Sequence, residues 1–170
     1  MSGIWITTYS GKSVDPFAMT ISDVDIVDIA HALSMQSRFS GHCSRFYSVA
    51  EHSVLVSTLV PRECALDALL HDAAEAYIGD VPGPVKSRLR EFIDLETAVF
   101  AAVAARFGIP CELLEPVKLA DREALQIEMA ALMPPRDRQS PSQHQSSLGS
   151  SPDEARQRFL QRFEELWGGR

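Results

Sequence analysis

Inside the stretch Leu69-Leu70-His71-Asp72-Ala73-Ala74-Glu75-Ala76-Tyr77, an adjacent imidazole and carboxylate interrupt what otherwise reads as a core helix. Burying unpaired polar groups costs about 1 to 3 kcal/mol each, and more when they are charged. The segment can join a core only if His71 and Asp72 are satisfied by a metal ion or by a tight hydrogen-bond network.

Around this pair nearly every apolar spacing is helical. Asp23 to about Arg38 places Ile26, Ile29, Ala30 and Leu33 at three- and four-residue steps, with Asp23 available as the cap. Ser48 can cap a second helix carrying Val49, His52, Val56 and Leu59 on one face. Pro61 stops it before a third, from about Arg62 to Ile78. Gly79 to Pro84 breaks the chain. A fourth helix, about Glu91 to Phe107, ends at Gly108 and Pro110, and a fifth starts at Pro116 and runs through Val117, Asp121, Leu125 and Glu128 to about Leu132. Residues 133–151 have hardly an apolar side chain to offset their ordering entropy, which predicts a mobile loop. Ser151-Pro152-Asp153-Glu154 then starts a C-terminal helix, 152–167, whose apolar stripe returns to the core. Ile4 to Tyr9 is β-prone and predicts a short N-terminal strand or hairpin. The expectation is an all-α bundle in one domain, 1–170, with that hairpin attached.

Composition narrows the function. A net charge of −7 argues against sequence-independent binding of a nucleic-acid polymer, which needs clustered Lys and Arg. Apolar runs are far short of a membrane span, and Met1 to Trp5 lacks the basic flank of a signal peptide, so a cytoplasmic protein without membrane contact is expected. Cys43, Cys64 and Cys111 form no C-x-x-C pair, and neither a disulfide framework nor a thiolate site is indicated.

On one helix, a spacing of four brings His71 and Glu75 to one face and a spacing of three brings Asp72 near Glu75. His52 lies among apolar residues on the preceding helix, and Asp121 between Leu119, Ala120 and Leu125 on a later one. If these helices pack side by side, His52, His71, Asp72 and Asp121 converge as two imidazoles and two carboxylates, a donor set suited to Zn, Mn, Co or Fe. Singly, His52 also reads as a hydrogen-bonded core histidine and Asp121 as a helix cap; which helices touch is not written in the spacing.

The order His52, His71-Asp72, Asp121 resembles the H…HD…D signature of the HD-domain metal-dependent phosphohydrolases. Tyr47 to Ser53, Leu70 to Ala76, Gly79 to Lys86 and Val117 to Asp121 look like its bacterial 5'-deoxynucleotidase branch. Arg38-Phe39-Ser40-Gly41-His42 looks like a segment of the short prophage-type members. The match spans about residues 20 to 132. The resemblance implies an HD-domain helical bundle in which His52, His71, Asp72 and Asp121 bind one divalent metal ion (Mn, Co, Zn, Mg or Fe). Glu75 orients or deprotonates the attacking water and Asp80 assists near the leaving oxygen or orders its loop. Arg38 and Lys86 hold phosphate. The implied substrate is a deoxynucleoside 5'-monophosphate, with dNTP triphosphate release, as in phage dATP-specific relatives, the alternative.

Two departures bear on selectivity. Phe39 stands where the family usually has tryptophan, and His71 follows His52 by an interval of only 19 positions. His42 is a candidate substrate contact against a turn-stabilising role, Arg88 and Arg90 read as a solvated basic face, and Glu51 points about 100° away from His52. A noncatalytic nucleotide sensor and a helical interaction protein are the readings outside enzymology, and homo-oligomerisation is left open.

Overall fold

Ile6–Thr7 (β1) and Ser13–Val14 (β2) pair antiparallel, Ile6 opposite Val14, around a turn in which Gly11 takes φ +85°. This small hairpin is followed by helices, in a computed structural model that describes residues 5–134 and 148–168. The helices are α1 (Ile26–Met35), α2 (Val49–Thr58), α3 (Ala65–Leu69), α4 (Glu75–Ile78), α5 (Gly83–Lys86), α6 (Arg90–Phe107), α7 (Glu115–Leu132) and α8 (Pro152–Trp167). The chain is all-α with a short N-terminal hairpin, as its apolar spacing predicts. Most of the expected loop, residues 135–147, lies outside the described residues.

Local chemistry sets several boundaries. Ser48 and Glu51 form a capping box at the start of α2, and Ser151 and Glu154 form another at α8; each satisfies otherwise orphaned N–H groups. Gly108 ends α6 in the left-handed conformation with φ +61°. The expected cap of α1 is corrected: Asp25, not Asp23, accepts from the Val27 N–H. Asp23 instead closes an upstream turn by accepting from the N–H and hydroxyl of Thr20.

The expected helix from Arg62 to Ile78 is also corrected. A short 3-10 turn, Arg62–Cys64, leads into α3, and the chain then runs through Leu70–Ala74 as successive tight turns before α4. Ala73, Glu75, Ala76 and Tyr77 donate to carbonyls three residues back instead of four. His71 and Asp72 therefore sit on a tightened turn between two short helices, not on an uninterrupted one.

The main core gathers Ile29, Leu33, Leu69, Leu70, Val99, Val103, Phe159 and Phe163, with α8 packed against α1, α2 and α3. Each fully buried Leu or Phe contributes about 1.5–3 kcal/mol of transfer free energy. A second, smaller cluster, Val56, Cys64, Ala68, Val117, Ala120 and Ala124, joins α2, α3 and α7. Its alanines let α7 approach closely, and the polar residues of those same elements meet beside it. Among the described residues no helix is long and apolar enough to cross a membrane.

Candidate metal centre

His52 leaves α2 fully buried, and His71 and Asp72 come from the turn after α3. Ligand atoms of these three residues all lie within 4.8 Å of one another, a group that can hold a divalent ion. The Nε2 atoms of His52 and His71 are 3.3 Å apart, and Asp72 Oδ2 is 3.6 Å from the first and 3.2 Å from the second. Asp121 Oδ1 approaches from α7, 3.1 Å from His52 Nε2 and 4.0 Å from His71 Nε2. All four expected ligands thus converge. Asp121 does so from a different setting than expected, because Leu119 and Leu125 face solvent and its own side chain is 45% exposed.

The opposite ring nitrogens define the protons. His71 Nδ1–H donates to Ala68 O at 2.8 Å, and His52 Nδ1–H donates to Glu128 Oε1 at 2.6 Å. A carbonyl and a carboxylate can only accept, so each neutral imidazole turns its Nε2 lone pair inward. Two lone pairs and two carboxylates facing one space are mutually repulsive without a cation or a proton. Burial pushes the His52 pKa down, but hydrogen bonds to Asp121 and Glu128 outweigh it and leave it raised. Burial likewise opposes ionisation of Asp72, yet His71, His52 and Arg38 hold its carboxyl well below the usual range.

Glu75 opens α4 with its side chain 5% exposed. Burial, then the neighbouring Asp72 and Asp80, push its pKa up to about 9 despite Lys86. Its Oε1 accepts from Lys86 Nζ at 3.3 Å, while its buried Oε2 has no hydrogen-bond partner among the described residues. Lys86 also donates to Glu96 at 2.7 Å, so this candidate phosphate ligand is held between two carboxylates. Gly79 takes φ +86° and ψ 155°, a region open essentially to glycine, and turns the chain into Asp80. Asp80 is half-buried; desolvation first, then Asp72, raises its pKa, while Arg38 and Lys86 oppose the rise.

Arg38 reaches the site because residues 36–38 run antiparallel to 47–49: Arg38 N–H donates to Tyr47 O, and Val49 N–H to Gln36 O. Its Nη1 lies 3.9 Å from Asp72 Oδ2. Phe39 sits under the guanidinium, 5.5 Å from ring centre to Cζ, and Phe39 and Ser40 both adopt left-handed backbone, with φ of 55° and 51°. His42 is exposed; its N–H closes this turn on Phe39 O. Glu51 is spent on the α2 cap.

Two participants were not among the expected site residues. Glu128 is fully buried where α7 faces α2, seven residues after Asp121, and the signal was a lone carboxylate on the buried face of an amphipathic helix. Gln36, just past α1, donates from Nε2 to Glu75 O and accepts at Oε1 from the Asp80 N–H, pinning both ends of the Glu75–Asp80 segment. Nothing local in the sequence signals that role. A cavity of about 250 Å³ adjoins the centre, lined by His71, Asp72, Lys86, Thr97, Phe100 and Leu113 among others.

No protein-family model matches the chain. It is 37% identical over 169 residues to Uncharacterized protein YfdR of Escherichia coli (strain K12), covering 95% of each chain. An uncharacterized protein of Rhodobacter capsulatus is 39% identical over 134 residues, covering 73% of this chain and 68% of the relative. With a relative at that identity matched along nearly its whole length, the chain belongs to the family of Escherichia coli YfdR.

Proposed function

We propose that this protein is an HD-type, metal-dependent phosphohydrolase that removes phosphate from deoxynucleoside 5'-monophosphates. The observation that carries the reading is the juxtaposition of an inward-facing His–His–Asp group with Arg38 on one side and the Glu75–Lys86 pair on the other. Two imidazoles and two carboxylates suit a divalent ion of the Mn, Co, Fe or Zn kind. Such an ion, when bound, supplies Lewis acidity toward a phosphoryl oxygen and lowers the pKa of water.

The chain's own groups supply the rest. Glu75 Oε2, buried and unpartnered among the described residues, accepts the proton of the attacking water when Glu75 is ionised, and the raised pKa of this acid makes its carboxylate a stronger base. Arg38 and Lys86 offset charge on the phosphate, with Lys86 leaving one of its two carboxylate partners to do so. Asp80, whose N–H is pinned by Gln36, acts at the leaving oxygen. The sugar and base occupy the adjoining cavity against Phe100 and Leu113.

The test is product analysis. Purified protein is incubated with dAMP and dATP in Mn2+, Co2+, Mg2+ or Zn2+. Phosphate released from dAMP supports the reading, triphosphate released from dATP replaces it with the triphosphohydrolase alternative, and release of neither from any deoxynucleotide refutes both.

A further inference from the structure

We infer that Glu128 is the positioning residue of the centre, tying a metal-facing histidine and the phosphate-facing arginine to one buried carboxylate; this rests on the metal-centre reading above. Its two oxygens are filled in a divided pattern. Oε1 accepts from His52 Nδ1–H at 2.6 Å and from the Tyr47 hydroxyl at 3.1 Å. Oε2 accepts from Arg38 Nε at 3.1 Å and forms an ion pair with Arg38 Nη2, also at 3.1 Å. A carboxylate offers about four lone-pair sites, and three hydrogen bonds with the Arg38 Nη2 ion pair occupy them.

Two consequences follow from that saturation. His52 is confined to the tautomer with Nδ1 protonated, which leaves Nε2 free to bind a cation; partners of this kind orient a ligand and raise its basicity. Arg38 spends its Nε–Nη2 edge on Glu128, so the guanidinium cannot rotate and its Nη1 side is the one turned toward Asp72. One side chain thereby sets the ligand atom and the anion-facing edge together. A glutamine cannot replace it: its amide brings two donors, and whichever way it turns, they meet either Arg38 or the His52 and Tyr47 donors.

The first measurement needs no substitution. Nitrogen-15 correlation spectra of the imidazoles in the zinc-loaded protein should show His52 protonated at Nδ1 and not at Nε2; an unprotonated Nδ1 overturns the inference. Zn2+ titration by calorimetry then compares variants. Glu128→Gln should weaken Zn2+ binding about 10- to 100-fold, and Glu128→Asp, which keeps the charge but retracts it, by a smaller factor. Adding Arg38→Met to Glu128→Gln should restore part of the Zn2+ affinity, because the amide group can then turn its donors away from His52. A purely structural role for Glu128 would not produce that rescue. Unchanged affinity in Glu128→Gln, or no recovery in the double variant, overturns the positioning role while leaving the hydrolase reading intact. Wild-type protein that neither binds Zn2+ nor turns over nucleotide overturns both.

Discussion

The Nε2 atoms of His52 and His71 face each other 3.3 Å apart, each ring fastened through its other nitrogen, to Glu128 and to the Ala68 carbonyl. Neither ring can turn away to relieve the opposition of lone pairs without losing a buried hydrogen bond, which costs about 1–3 kcal/mol for the group left unsatisfied. A cation resolves the conflict, and its removal should be felt by the fold as well as by any activity.

Asp72→Ala removes the carboxylate that lies 3.6 Å from His52 Nε2 and 3.2 Å from His71 Nε2. Elemental analysis after purification and dialysis should find metal in the wild type near one equivalent and a small fraction of that in the variant. Equal metal content in the two would place the ion elsewhere. Adding a chelator to the wild type should lower its melting temperature, since a bound ion stabilises by mass action, about 2.7 kcal/mol at a hundredfold excess over Kd.

Glu75→Gln separates chemistry from stability. The folded-state pKa of Glu75, about 9, lies above its ordinary value of 4.5, so the neutral form is favoured by folding. Its contribution to stability is therefore complete below pH 4.5 and is lost as the pH climbs toward about 9. The variant mimics the neutral acid at every pH. Urea unfolding of the metal-free proteins should give similar stabilities near pH 4.5 and a gain for Glu75→Gln at pH 8 of about 1 kcal/mol or more. Metal binding should survive and turnover should disappear; a variant with full activity would falsify the assignment of Glu75.

Lys86→Met deletes the cation 3.3 Å from Glu75 and 2.7 Å from Glu96. Lys86 opposes the rise in the Glu75 pKa, so its loss should move the acid limb of the pH–rate profile upward by roughly one unit. KM for the nucleotide should rise at the same time. An unmoved limb would show that Lys86 and Glu75 are not coupled during turnover.

Gly79→Ala tests the turn that delivers Asp80. Space for a methyl group is open there, but φ +86° with ψ 155° strains any residue with a Cβ. The cost should be about 1–3 kcal/mol, or several degrees in the melting temperature of a chain this size. Gln36→Ala, which frees the Asp80 N–H and the Glu75 carbonyl, should lower kcat more than it raises KM. Wild-type thermal stability in Gly79→Ala would mean that the turn relaxes without it.

Much of the fold is legible in the chain because its signals are local. Ser48 with Glu51 and Ser151 with Glu154 announce helix starts through bonds that span three residues, and Gly108 announces an end through its own backbone freedom. The break at Leu70–Ala74 was not legible, since apolar spacing suits a continued helix there. There His71 and Asp72 meet His52 of α2, and His71 lies 4.0 Å from Asp121 of α7, long-range partners that local spacing does not record.

The candidate site divides the same way. The identities and order of His52, His71, Asp72, Glu75 and Asp121 are properties of the sequence, and a polar pair inside an apolar stretch already demanded partners. Which atoms face inward, which edge of Arg38 is free, and the convergence of Arg38, Tyr47 and His52 on Glu128 were decided only by tertiary structure. Contacts such as that of Arg38 with Glu128, ninety residues apart, depend on helices docking through Val56, Ala68, Ala120 and Ala124, and no local rule of spacing records which helices will touch.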